Sequence, residues 1–369
     1  MTSLAGQGTA RSYVRYSDDV ETIAPGEQET IDKIIAGMAK GGQLVREKHG
    51  RSLRTSHAKA QGLLRGELRV QDGLPEYLRQ GLFAEPRTYP VIVRLSHVPG
   101  DLDDDRKVSA PRGMSLKVFG VEGEKLPLHQ GETTQDFVLD TGKVFNAIDA
   151  KTFLPQIAPL EATAPLTPQP VKGAVSAVSR AANAMLGGES AALDFFGHPF
   201  LHPMSEAYYS QVPIRYGDYI AKLSVTPDTP ALKALQNQKF EPQDYDGLRT
   251  ATVEFFRNNP AEFEMGIQLC TDLKTMPVEN ANKEWPEDES PYQPVARLFL
   301  PAQDAYSAAR RDFVEGDVSF CPAHSLAAHR PLGSIMRARM QAYEILGKAR
   351  RQVSGRPQDE PKSADAMPG

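Results

Sequence analysis

Arg339 and Tyr343 stand four residues apart in PLGSIMRARMQAYEILGKARR, and Arg350 follows seven residues later. Helix formers run from Met336 through Arg350 with no proline after Pro331, so a helix is expected over about 332–352. At about 3.6 residues per turn the three side chains share one face. A phenol flanked by two guanidiniums points to a specific chemistry: cations stabilise the phenolate, and a phenolate is an oxygen ligand for ferric haem iron. Starting from a pKa of about 10, holding a tyrosine ionised at pH 7 costs about 4 kcal/mol. Neighbouring cations supply roughly one to three pKa units of this, and a coordinated metal would complete it. The same spacing also suits an amphipathic helix whose tyrosine packs on the core while its arginines reach water.

A second cluster lies far upstream, in HGRSLRTSHAKAQGLLRGELRV. Arg54, His57, Ala58, Lys59 and Gly62 form the pattern Arg-x-x-His-Ala-Lys-x-x-Gly, which resembles the segment that opens the barrel of haem catalases. Further along, VIVRLSHVPGD, APRGMSLKVFG and RMQAY resemble that family's later strands and its Arg-x-x-x-Tyr signature, in the same order. The likeness is strong over about 50–121, moderate over 210–226 and in the C-terminal helix, and only general elsewhere. With 26 residues after Tyr343, the chain is similar to the short, catalase-related peroxidase branch of the superfamily.

The resemblance implies haem b as cofactor, with His57 as the distal acid–base group and Tyr343 as the axial ligand to the iron. It implies that Arg339 hydrogen-bonds the tyrosinate and that Arg54, Arg94 and Arg350 neutralise the haem propionates. Ser96 matches the serine that orients the distal histidine, and Phe145 is the counterpart of the phenylalanine lying against the haem. The chemistry is coherent by itself. A neutral imidazole with a pKa near 6.5 can take a proton from hydrogen peroxide and return it to the departing oxygen. An anionic axial ligand pushes electron density toward O–O cleavage.

One departure bears on activity. Catalases carry an asparagine beside the distal histidine; LHQGETTQDFVLD has none, and Glu132 or Thr133 takes its place with Gln130 and Gln135 nearby. That substitution favours a peroxidase, acting on hydrogen peroxide or an organic hydroperoxide with an unknown electron donor, over efficient dismutation. Two alternatives stay open: isomerisation of a fatty-acid hydroperoxide, as in the allene oxide synthase branch, and a haem-binding protein without turnover.

The expected fold is α+β, an antiparallel β-barrel over about 62–300 with helical insertions and a C-terminal helix carrying the haem ligand. Short alternating runs, GELRV, YPVIVRLS, GMSLKVFG and TTQDFVLD, give the first half of the barrel. PIRYGDYIAKLSVTP and ATVEFFRNNPAEFEMGIQLCTD are read as strands of the second half, and 286–300 crosses back toward the last helix. Helices are expected over 27–49, 171–186 and 230–239, and the proline-rich stretch 154–173 as a linker or wrapping loop. The domain reading is an extended N-terminal arm (1–25), a haem-binding body (26–355) and a disordered tail (356–369).

A chain of 369 residues with 40% hydrophobic content can bury a large core. Its net charge of −5, with both signs interspersed, implies neither nucleic acid nor a membrane surface as a partner. Only Cys270 and Cys321 are present and no apolar run reaches membrane-spanning length, so a cytoplasmic protein is expected, and a homo-oligomer is compatible with the arm. Asp101, Asp103 and Asp105 alternate as calcium ligands do, but Arg106 and Arg112 fall where the turn glycine and closing glutamate belong, leaving a solvated loop. Cys321, His324 and His329 have loose zinc spacing but lack a fourth ligand locally. His97, His129, His198 and His202 have no partners at useful spacing.

Overall fold

A computed structural model describes residues 12–188, 190–236 and 238–369, and only the backbone of residues 157–162. Among the described residues, nine strands form one antiparallel sheet: β1 (Ala60–Val70), β2 (Thr88–His97), β3 (Arg112–Phe119), β4 (Thr134–Thr141), β5 (Tyr208–Tyr209), β6 (Ile214–Tyr216), β7 (Tyr219–Pro227), β8 (Ala261–Leu269) and β9 (Gln293–Leu300). The order is β5-β4-β3-β2-β1-β9-β8-β7-β6, and pairing of β5 with β7 closes the sheet into a barrel. The fold is thus the α+β antiparallel barrel expected from the alternating runs.

Period-two alternation divides the strands between the barrel core and its outer wall. Val91, Val93 and Leu95 of β2, Met114, Leu116 and Val118 of β3, and Phe137 and Leu139 of β4 point inward with Leu223, Ile267 and Val295. The intervening residues lie on the opposite face: Ile92, Arg94 and Ser96 on β2, Gly113, Ser115 and Lys117 on β3, Val138 and Asp140 on β4. Among the described residues, the outward members Ile92 and Val138 cluster with Leu63, Phe320 and Tyr343. The chemistry read from the sequence therefore belongs on the outside of the barrel wall.

The described helices are α1 (Glu27–His49), α2 (Ala150–Thr163), α3 (Gln169–Met185), α4 (Ala191–Phe196), α5 (Pro230–Leu235), α6 (Gly247–Asn258), α7 (Ala308–Gly316) and α8 (Ser334–Val353). Val314 of α7 and Tyr343 of α8 cluster with the outward residues of the wall. Ile31, Ile34 and Ile35 of α1 pack with Phe153 and Leu154 of α2 and with Ala338 and Ala342 of α8. No described helix is long and apolar enough to cross a membrane.

Four expectations are corrected. The stretch 154–173 is largely helical: α2 and the start of α3 run through it, because apolar Phe153 and Leu154 find a face on α1 and packing outweighs the proline penalty. Residues 251–258, read as strand, belong to α6, whose buried Leu248, Ala251, Thr252 and Phe256 recur at helical spacing. The tail 356–369 packs on the body: Ala364 and Met367 are buried, and Glu360 pairs with Arg351 and Ser319. The alternating aspartates are not solvated. Asp101, Asp103 and Asp105 are buried against Lys48, His49, Lys59 and Lys172, with contacts of 2.7–2.8 Å. Of the N-terminal arm, residues 1–11 lie outside the described residues; Val14 donates to the Cys270 carbonyl and Arg15 bridges to Tyr219, so this part of the arm lies against the start of β7 and the end of β8.

Candidate active site

The α8 helix is placed from its N-terminal end. Glu21 accepts from the Gly333 N–H and Glu279 from the Ser334 N–H, each at 2.8 Å, supplying the carboxylates that a helix N-terminus favours. In the first turn Arg337 gathers three carboxylates, binding Glu21 and Glu27 at 2.6 Å and Glu279 at 3.0 Å. Ala338 and Ala342, farther along the helix, pack on α1.

Between α8, α1 and the outer wall of β2–β4 lies a cavity of about 340 Å³, in the range of small-molecule and cofactor sites. A smaller one of about 70 Å³ adjoins it. Met38, Ser56, His57, Ala342 and Tyr343 line both, so the two form a continuous slot with the imidazole and the phenol in its walls. Arg339 and Phe145 line the larger part; Arg54, Arg94 and Arg350 line the smaller. Ser96 lies behind His57, its Oγ 3.1 Å from Nδ1. The residues singled out in the sequence thus converge on one place.

His57 has φ of +56°, unusual for a non-glycine residue. Its backbone is held from three directions: its N–H donates to Val98 O at 2.9 Å, Ala58 N–H donates to Pro99 O at 3.0 Å, and Arg94 Nη2 donates to His57 O at 2.7 Å. A conformation so over-determined is the kind retained at functional sites. Gly113 makes room for the ring, since a Cβ there would stand 2.6 Å from His57 Nδ1 and Cε1. The other face of the imidazole meets Asp140 Oδ2, 3.7 Å from Nε2. Asp140 Oδ1 is buried with no hydrogen-bond partner among the described residues.

At the arginine end, the structure adds a group the sequence reading missed. Glu315, on α7, takes Arg54 Nε at 3.0 Å and Arg94 Nε at 2.7 Å, and its backbone carbonyl accepts from Arg350. Burial alone would raise this carboxyl, but Arg94 and Arg54 hold it down to about 2. Burial and Arg54 push Arg350 down to about 9, and Arg350 Nη2 is buried with no hydrogen-bond partner among the described residues. Three guanidiniums against one carboxylate leave an excess of two positive charges at this end.

Two expected contacts differ. Arg339 lies over the Tyr343 ring, 5.7 Å from its centroid, and donates to Val138 O at 3.4 Å; a cation–π contact stands where a hydrogen bond to the phenolic oxygen was expected. None of Gln130, Glu132, Thr133 and Gln135 lines the slot. Glu132 turns to His129 at 3.0 Å, Gln130 donates to Lys125 O, and Gln135 Oε1 accepts from Leu326 N at 2.8 Å. The side chain beside the His57 imidazole is Asp140. The signal for it was available, because Asp140 shares the outward face with Val138.

No protein-family model and no curated protein sequence matches the chain. Its structure matches those of catalases. A fungal catalase superposes with TM-score 0.60 at 17% identity, covering 82% of this chain and 60% of that one. Catalase A from Saccharomyces cerevisiae gives 0.58 at 18%, covering 82% and 62%, and a bacterial catalase 0.54 at 16%, covering 85% and 62%. The fold is therefore the catalase fold. The chain spans about three-fifths of the length of those proteins.

Proposed function

We propose that the slot between His57 and Tyr343 holds haem b and that the protein is a haem-dependent peroxidase acting on hydrogen peroxide or an organic hydroperoxide. The observation that carries this reading is the shared lining of one cavity by an imidazole, a phenol and an arginine cluster. The residues fit the group. Tyr343 offers an oxygen ligand from α8, apolar Met38, Phe145, Phe153 and Ile335 flank the space, and the excess of two positive charges suits two propionates. When bound, haem would supply the iron at which a peroxide O–O bond is cleaved.

The chain's own residues provide proton handling and order. Contact of His57 Nδ1 with Ser96 Oγ holds the ring in place, and in the tautomer protonated at Nδ1 the free acceptor is Nε2. Nε2 takes a proton from the peroxide and returns it to the departing oxygen. Asp140 attracts the imidazolium in between, from 3.7 Å. Being acceptor-only when ionised, Asp140 cannot donate to a second peroxide as an amide would, which favours an external reductant over dismutation.

Peroxide-dependent oxidation of a phenolic dye by the haem-loaded protein tests this reading. Replacing His57 by Ala is expected to lower turnover by about 10²–10⁴-fold, the usual worth of a general acid–base group. Equal turnover in the variant would remove His57 from the mechanism. A Soret band with no turnover on any donor would make the protein a haem binder instead.

A further inference from the structure

A second constellation lies behind Tyr343, on the far side of α8 from α1. His129, His324 and Glu344 come from three separate parts of the chain: the turn Pro127–His129, the loop after α7, and α8. One ligand atom from each lies within 4.8 Å of the others. Both imidazoles are buried and meet edge to face, with ring centroids 4.3 Å apart and planes at 78°.

The hydrogen bonds around the rings decide which atoms are presented. His129 Nδ1 is held by Glu132 at 3.0 Å and His324 Nδ1 by Asp136 at 2.9 Å, with Lys117 Nζ at 3.1 Å. Each histidine therefore has one nitrogen fixed by a carboxylate and Nε2 left over, the arrangement that orients metal-bound imidazoles. His129 Nε2 has no hydrogen-bond partner among the described residues, although the side chain is 5% exposed. Glu344 Oε2 lies 3.4 Å from it. Two ligands at about 2.1 Å on a tetrahedral ion stand about 3.4 Å apart, so this spacing already matches a shared cation. The other oxygen of Glu344 is held by Lys348 at 2.7 Å, which leaves Oε2 beside His129.

We infer that His129, His324 and Glu344 form a binding site for a divalent transition-metal ion of the zinc type, separate from the slot on the other side of Tyr343. Two imidazoles and one carboxylate are a recognised zinc donor set, with the fourth position left to water. The ion ties the Pro127–His129 turn and the 320s loop to α8 at the residue after Tyr343, so it stiffens the helix that carries the phenol. Neither half was visible in the sequence as a pair: His324 belonged to a loose Cys321–His324–His329 spacing, and His129 had no neighbour. In the structure His329 is elsewhere, its Nε2 accepting from Leu82 N at 2.9 Å. Cys321 Sγ lies 3.9 Å from Glu344 Oε2, beside the site.

The inference does not depend on haem. Titration of ZnCl₂ into the full chain, followed by metal analysis after gel filtration, is expected to give one zinc per chain with affinity in the micromolar range or tighter. Co²⁺ in place of zinc should give visible absorption bands of a four-coordinate ion. His324→Gln is expected to weaken binding by at least about 100-fold, ligand loss costing no less than the roughly 10–100-fold of a supporting contact. Should that buried variant fail to fold, Glu344→Gln, whose side chain is partly exposed, is expected to weaken zinc similarly while keeping the thermal transition. Tyr343→Phe and Cys321→Ser are expected to retain zinc. Absence of zinc binding in the unaltered chain, unchanged affinity in Glu344→Gln, or loss of zinc in Cys321→Ser would overturn the assignment.

Discussion

Gly113 is the residue on which the position of the His57 imidazole turns, and its replacement by alanine isolates that dependence. A Cβ at 113 would lie 2.6 Å from both Nδ1 and Cε1 of His57 and 3.2 Å from Ser96 Oγ. Ordinary contact begins near 3.4 Å, so the ring must move by about 0.8 Å (3.4 − 2.6). It cannot do so through its backbone, which is fixed by the hydrogen bonds from His57 N, Ala58 N and Arg94. The displacement therefore falls on the side chain and on its 3.1 Å contact with Ser96. Misplacement of a catalytic group by about 1 Å costs on the order of 10²-fold in rate, and overpacking of this kind costs about 1–3 kcal/mol of stability. The assay is kcat for peroxide-dependent dye oxidation, with the thermal transition and haem absorption as controls. A drop of about 10²-fold with haem retained is expected. A kcat within about threefold of the unaltered protein would show that the position of His57 does not govern the reaction.

Two further outcomes follow from the charges and the tail. Glu315→Gln removes the negative charge shared by Arg54 and Arg94 and is expected to destabilise the fold on the order of 3 kcal/mol at pH 7. Because the folded carboxyl sits at about 2, below its ordinary 4.5, this contribution is present above about pH 4.5 and lost as pH falls toward 2. Urea unfolding of both proteins should show a gap at pH 3 less than half of that at pH 7. Deleting residues 356–369 exposes the pocket filled by Ala364 and Met367 and strips Arg351 of Glu360. The thermal midpoint is expected to fall by several degrees, about 1–2 °C per kcal/mol for a chain of this size; an unchanged midpoint would mean that the tail contributes nothing.

The parts of this fold legible in the sequence are those where local pattern and tertiary demand agree. The strands of the first half of the barrel alternate, and α1 runs over the residues its periodicity indicates, Glu27–His49. Position on the outer wall explains why Arg94, Ser96 and Asp140 each follow directly on an inward-facing valine or leucine. What local pattern could not show were partners brought in from distant segments. Glu315 comes to Arg54 and Arg94 from more than two hundred residues away. The aspartates at 101–105 look solvated until α1, the residue before β1 and α3 bring lysines to them. The tail is polar in composition, yet two apolar residues in it, Ala364 and Met367, find a pocket. In α2, contact with α1 outweighs the prolines that suggested a loop.

The claim on which the functional account rests is that Tyr343 holds the iron of a haem placed opposite His57. The absorption spectrum of the purified, haem-supplied protein tests it most directly, alongside Tyr343→Phe. A Soret band with a phenolate-to-iron charge-transfer feature is expected in the unaltered protein, with that feature lost in the variant. A spectrum without a Soret band, or one unaffected by Tyr343→Phe, would contradict the account.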